Sequence, residues 1–246
     1  MKNYFRMLLV AAVSTFLMSG PAPANAADIP GVSVSANVGI FSKYRWRGLD
    51  QSAREPALQG GFDLAHTSGI YLGTWMSNVD FAGNADSVSS ELDFYGGYGF
   101  ELGGVGVDLN FTQFTYPGGL DSLNYDFQEW GIGLSKDFGV AAVSAGFNYS
   151  SEFYGKSGDA EYIQGGLDIP LPAGLGLSAH VGHQAIEKNS TYGNEDYVDW
   201  SVGVGYTLAG LDLSVTYVDT DLDVSGATST VQGKEDAVIF GMSKSF

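Results

Sequence analysis

No cysteine occurs in the 246 residues, which excludes a disulfide framework, a thiolate metal site and a cysteine nucleophile. Basic residues are few, 11 Lys and Arg against 28 Asp and Glu, for a net charge of −17. Nucleic acid is therefore not an expected partner, because binding to phosphates needs a basic face. Histidine occurs three times, at His66, His180 and His183. No Gly-x-Ser-x-Gly elbow, His-Glu-x-x-His pair or phosphate-binding glycine loop accompanies them. No apolar run approaches the ~18 residues of a membrane helix. Proline is scarce at seven residues, so the abundant glycine, 35 residues, does not mark a low-complexity chain. Aromatics at 13% argue against disorder, and charged residues at 16% fall below the roughly one quarter of a soluble domain.

The first 26 residues read as a secretory signal peptide. Lys2 and Arg6 precede an apolar stretch from Met7 to Met18, Ser19-Gly20-Pro21 breaks it, and Ala24-Asn25-Ala26 offers small residues for cleavage. The stretch is too short to span a bilayer as a helix. Residues 27–246 are then one exported domain, and any spanning must be done by strands.

A period of two runs through that domain. From Val32 to Arg47 the even positions are Val32, Val34, Ala36, Val38, Ile40, Ser42, Tyr44 and Trp46, and the odd positions are small, polar and finally basic. Successive strand side chains point to opposite faces, so the pattern predicts a two-faced strand. Twelve such segments are expected near 32–47, 56–66, 70–79, 90–101, 105–116, 127–136, 140–150, 161–169, 175–184, 197–207, 211–219 and 235–246. The third is the least regular, because Tyr71 and Trp75 oppose Ile70, Leu72 and Met76. Tight glycine-bearing turns such as Leu102-Gly103-Gly104 and Leu208-Ala209-Gly210 alternate with longer links. That rhythm, an even strand count and no helical period predict an all-β, up-and-down antiparallel transmembrane barrel with short periplasmic turns and long extracellular loops. A terminal Phe246 in line with Val238, Phe240 and Met242 matches the signal that outer-membrane barrel assembly machinery reads. A secreted soluble barrel or sandwich would also alternate, but the closed count of twelve, the terminal Phe and aromatics near strand ends weigh against it.

The run Phe41-Ser42-Lys43-Tyr44-Arg45-Trp46-Arg47-Gly48, with Gln51-Ser52 and Pro56-Ala57-Leu58-Gln59-Gly60, is one of three distinctive stretches. The others are Gly69-Ile70-Tyr71 through Trp75-Met76-Ser77-Asn78-Val79-Asp80-Phe81, and Glu91-Leu92-Asp93-Phe94-Tyr95-Gly96-Gly97-Tyr98. Together they resemble the TorF family of bacterial outer-membrane porins, most sharply over residues 36–100. The resemblance implies a porin-like protein and brings no substrate or catalytic residue with it.

Alternation places Lys43, Arg45 and Arg47 on the inward face of the first strand, and Glu91, Asp93, Asp108, Glu129 and Asp199 on inward faces elsewhere. Two readings stay open for them. The basic residues could form a ladder that faces acids across a narrow lumen and orders small polar or anionic solutes. Alternatively the charges pair as wall salt bridges that brace or plug the barrel. The outer loops are acidic, and Asp219, Asp221 and Asp223 could hold divalent cations against lipopolysaccharide, although the spacing fails as a calcium loop. The expected function is passive diffusion of small solutes across the outer membrane of a Gram-negative bacterium, with lipid and lipopolysaccharide as surroundings and no cofactor or metal. A closed structural or adhesive barrel is the alternative. A lipid hydrolase using His183, with Ser190 and Thr191 nearby, comes last, and no enzyme activity is expected.

Overall fold

The computed structural model describes residues 29–81, 88–223 and 233–246. The expected signal peptide lies outside the described residues. Where the sequence alternates, the chain forms strands: β1 (Val32–Phe41), β4 (Ala57–His66), β5 (Ile70–Asn78), β6 (Ser90–Leu102), β7 (Val105–Thr115) and β8 (Phe127–Asp137). The series continues with β9 (Ala142–Ser150), β10 (Ala160–Pro170), β11 (Leu175–Ile186), β12 (Tyr197–Leu208), β13 (Leu211–Thr220) and β14 (Ala237–Ser245). These pair antiparallel, each with its sequence neighbour, and β1 closes the ring by pairing with β14 as well as β4. The remaining two strands, β2 (Arg45–Trp46) and β3 (Leu49–Asp50), form a separate hairpin.

A closed ring leaves no unpaired edge, so every wall N–H and C=O can be satisfied without water. The seam is sealed at its last residue, where the Phe246 N–H donates to Ala36 O and the Ala36 N–H donates to Phe246 O. Outward positions are apolar and bare: Phe62 is 67% exposed and Trp130 62%, and Leu58, Ile163 and Phe240 stand out beside them. In water such a belt would drive aggregation, whereas a transmembrane barrel requires it. Inward positions are Gly, Ser, Asn, Asp and Tyr. The irregular third segment resolves on this basis, with Tyr71 and Trp75 turned inward and Ile70, Leu72 and Met76 facing out.

The short turns lie at the end where the chain enters and leaves the barrel. Between β12 and β13, Ala209 (φ 52°) and Gly210 (φ 77°) make a two-residue turn with both residues left-handed. This is the geometry for which Asn-Gly is favoured and where a Cβ is strained. Ala209→Asn should therefore raise barrel stability by about 1 kcal/mol, read as a higher urea midpoint in detergent micelles.

One expected segment is corrected. The first strand does not run to Arg47 but leaves the wall at Ser42, whose N–H donates to Phe240 O and whose Oγ accepts from the Phe240 N–H. From Tyr44 to Asp50 the chain is buried inside the barrel as the β2–β3 hairpin. The pattern misled because a hairpin of extended residues keeps the period of two, while alternation carries no information on whether a strand stays in the wall.

Candidate pore and its plug

The hairpin crosses the lumen from β1 to the opposite wall. Its tip is Arg47-Gly48, both left-handed, with φ of 46° and 80°. Gly48 is required there on two counts: its φ, and the absence of room, since a Cβ would come within 2.3 Å of Thr220 Cγ2 and 3.0 Å of Asp199 Cβ. Arginine in this conformation is strained, and its side-chain contacts hold it there. Its Nη2 donates to Glu129 Oε2 on β8 at 2.6 Å, and its Nη1 donates to Gln184 Oε1 on β11 at 2.7 Å. The guanidinium lies 4.2 Å from the Trp46 ring centroid and 4.0 Å from that of Tyr162 on β10. With Arg47 4% and Glu129 3% exposed, this is a dry ion pair between two aromatic faces.

The partners of Arg47 are themselves fixed. The Gln184 amide donates to Glu161 O and Ala185 O, at 3.2 and 3.3 Å, which leaves its carbonyl oxygen for the lumen. Tyr162 Oη donates to Asp199 Oδ2 at 2.8 Å and lies 2.9 Å from His180 Nε2, which is 3.1 Å from Asp199 Oδ1. The Tyr162 ring lies flat over Gly182, where a Cβ would stand 2.0 Å from its hydroxyl. Gly182→Ala should push the buried ring into Arg47 at a cost of about 1–3 kcal/mol and loosen the tip. Trypsin, excluded from the buried Arg45 and Arg47 in the native protein, should then cleave there while the barrel stays heat-modifiable on gels.

Arg45 anchors the base of the hairpin. Its Nη1 donates to Gly48 O at 3.2 Å and to Gly233 O, and its Nη2 lies 3.6 Å from the Glu235 carboxylate, which Arg54 also binds. Burial would raise Glu235, but the Arg54 hydrogen bond and the Arg45 charge hold its carboxyl below the usual range. Trp46 joins a different set of groups. It packs on Phe114, Phe127 and Phe153, with ring centroids 5.7 to 6.1 Å away. Next to them Phe81, Tyr116, Tyr125, Tyr154 and Tyr192 pack ring against ring. Burial among these rings pushes the Tyr192 hydroxyl up to about 12. Four long loops thus converge on the hairpin and fill the long-loop end with aromatic rings.

Of the expected inward charges, Glu91, Asp93, Glu129 and Asp199 are all buried on inward faces in the outer halves of β6, β8 and β12. Asp108 also faces inward but stands apart near the short-turn end, accepting from Tyr71 Oη at 2.8 Å and from Asn110 at 2.7 Å. Lys43, Arg45 and Arg47 do not form a ladder on β1, because that segment is no longer wall. Lys43 is half-buried at the base of the hairpin, and the two arginines belong to the hairpin itself. Arg47 with Glu129 therefore matches the paired, plugging reading. Three wall groups were not anticipated. Gln184 and Tyr162 carry no charge to draw attention, and Asp63, which accepts from Tyr95 Oη, was legible from parity alone.

Asp219 accepts from Tyr217 Oη and the Thr220 N–H, and Asp221 accepts from the Val198 N–H, so both cap the strand end. Among the described residues no group of three His, Cys, Asp or Glu stands together as a metal site would need. His183 stands exposed on the outward face without a hydrogen-bond partner among the described residues, while Ser190 and Thr191 lie in the short helix α1 (Asn189–Tyr192).

A closed barrel of twelve strands with an apolar belt and a polar interior is a transmembrane barrel of the porin-like class. The sequence matches the family described as "Bacterial protein of unknown function (Gcw_chp)" over residues 25–246, and the chain belongs to that family. The TorF name does not come with this match. A search of curated proteins finds no match. Among solved structures, one described as "KdgM porin in complex with disordered oligogalacturonate" is similar with a TM-score of 0.57 at 9% identity, covering 87% of this chain and 98% of that one. A NanC porin is similar with a TM-score of 0.56 at 8% identity, covering 85% and 97%. At such identities the likeness is one of fold alone.

Proposed function

We propose that the protein is an outer-membrane channel for passive diffusion of small polar or charged solutes, closed in the resting form by the Arg45–Asp50 hairpin. One observation carries this reading. The hairpin is not part of the wall but is seated in it through the side chains of Arg47, Glu129, Gln184 and Tyr162, so it can leave without a wall strand unpairing. The porin-like fold and the polar inward face support it. The TorF resemblance, cleavage after Ala26, lipopolysaccharide as neighbour and recognition of Phe246 by the assembly machinery are consistent parts of the same reading. The anionic oligosaccharide bound by the KdgM porin is not carried over, because this inward wall is acidic.

The refolded mature chain in a planar bilayer should show rare discrete current steps and long closed periods. Silence from folded, heat-modifiable protein, both as it stands and with the hairpin cut out, would favour the closed structural barrel instead.

A further inference from the structure

We infer that the channel takes small organic cations, guanidinium or ammonium solutes, and that Arg47 holds a tethered copy of the solute's cationic group in the seat such solutes would occupy. This rests on the channel reading above and names its substrate class.

Among the described residues, the twelve wall strands turn no Lys or Arg inward. Their two basic residues, Lys136 and Lys244, alternate to the outer face and lie against Phe138 and Phe246. The inward acids run the depth of the lumen, from Glu91 and Asp93 near the long-loop end to Asp108 and Asp168 near the short-turn end. Arg45 and Arg47 of the hairpin are thus the arginines among those acids, and both depart if the hairpin does. What remains is a passage of one sign, which concentrates cations and repels anions.

The seat itself is more specific than the field. When the hairpin leaves, it takes Trp46 with it, but Glu129, Gln184 and Tyr162 belong to three wall strands and stay. These present a carboxylate, a carbonyl oxygen turned to the lumen by its own amide's two donations, and the face of an aromatic ring. None of these three surfaces can donate, and all attract a flat or compact cation with N–H donors. Beside them lie two further acceptors. Glu91 is 2% and Asp93 4% exposed; Glu91 accepts from Tyr116 Oη at 3.4 Å and meets the Tyr44 hydroxyl at the base of the hairpin, and among the described residues Asp93 Oδ1 is buried without a hydrogen-bond partner. Asp93 on β6 and Glu129 on β8 both point inward from strands that flank β7. The free oxygen of Asp93, with the Glu91 carboxyl group beside it, is what a second ammonium group, or a cation in transit, would use.

The geometry predicts competition. A solute guanidinium that enters from the short-turn side, or through thermal openings, contests Glu129 with Arg47 and holds the hairpin out once it wins. Methylguanidinium chloride at millimolar, non-denaturing concentration should therefore raise the open probability of the native channel. Potassium chloride at the same ionic strength should not. The hairpin-excised barrel should bind methylguanidinium by calorimetry, about tenfold or more weakly after Glu129→Gln. Its reversal potential in a potassium chloride gradient should favour potassium over chloride. An excised barrel that conducts but prefers chloride, or binds methylguanidinium equally with and without Glu129, would overturn the inference and leave the channel standing. An excised, folded barrel that passes no current would overturn the channel reading and this one with it.

Discussion

Replacing Arg45–Asp50 by a short Gly-Ser linker should raise the time-averaged current through the barrel about a hundredfold or more. The estimate follows from what seats the hairpin. The Arg47–Glu129 pair, the two rings against its guanidinium and the Trp46 contacts need favour the seated form by only about 3 kcal/mol together to keep it dominant a hundredfold, at roughly 1.4 kcal/mol per tenfold. Excision removes the guanidinium from Glu129 and Gln184, removes Arg45 from Glu235, and takes Trp46 away from Phe114, Phe127 and Phe153. The wall strands lose no ladder hydrogen bond, because β2 pairs only with β3. The excised barrel should therefore stay folded and heat-modifiable while it conducts. A barrel that folds but shows the native current would mean that the loop rings around Phe81, Tyr116 and Tyr154 close the lumen without the hairpin.

The wall was legible in the sequence because a transmembrane barrel writes its structure in parity. Each inward or outward choice is forced by solvent on one side and lipid on the other, and a slip of one residue would put a whole strand's apolar set into the lumen. Even the irregular strand at Ile70–Asn78 obeys this once Tyr71 and Trp75 are given to the lumen. The plug was not legible, since the period of two continues through Tyr44, Arg45, Trp46 and Arg47 after the chain has left the wall. The one local signal was Gly48, two-residue turns being the places where left-handed residues cluster. Gln184 and Tyr162 could have been placed inward by parity, but their role depends on strands far apart in sequence meeting one arginine. Parity fixes the direction of a side chain and says nothing of its partner.

The Arg47–Glu129 pair gives the second large effect, and its variants separate plugging from selectivity. Glu129→Gln leaves a buried guanidinium without its counter-charge, and Arg47→Gln leaves a buried carboxylate without its own. Removing one member of a buried pair costs about 3–5 kcal/mol, far more than the pair contributes as a unit. In most proteins that cost would unfold the site. Here the hairpin can swing out and rehydrate the orphaned charge, so both single variants should open the channel by about a hundredfold or more, with little change in thermal stability of the barrel. The double variant, with no charge to strand, should regain part of the closed state through the Trp46 and Tyr162 contacts, which makes the cycle strongly non-additive. Selectivity moves the other way. Arg47→Gln frees a carboxylate in the passage and should shift the reversal potential further toward potassium, whereas Glu129→Gln removes that carboxylate and should shift it back. Two variants that open alike yet select oppositely would identify the pair as both latch and filter. If the single variants instead unfold the barrel, or leave the current at its native level, the pair is a brace and the hairpin does not move.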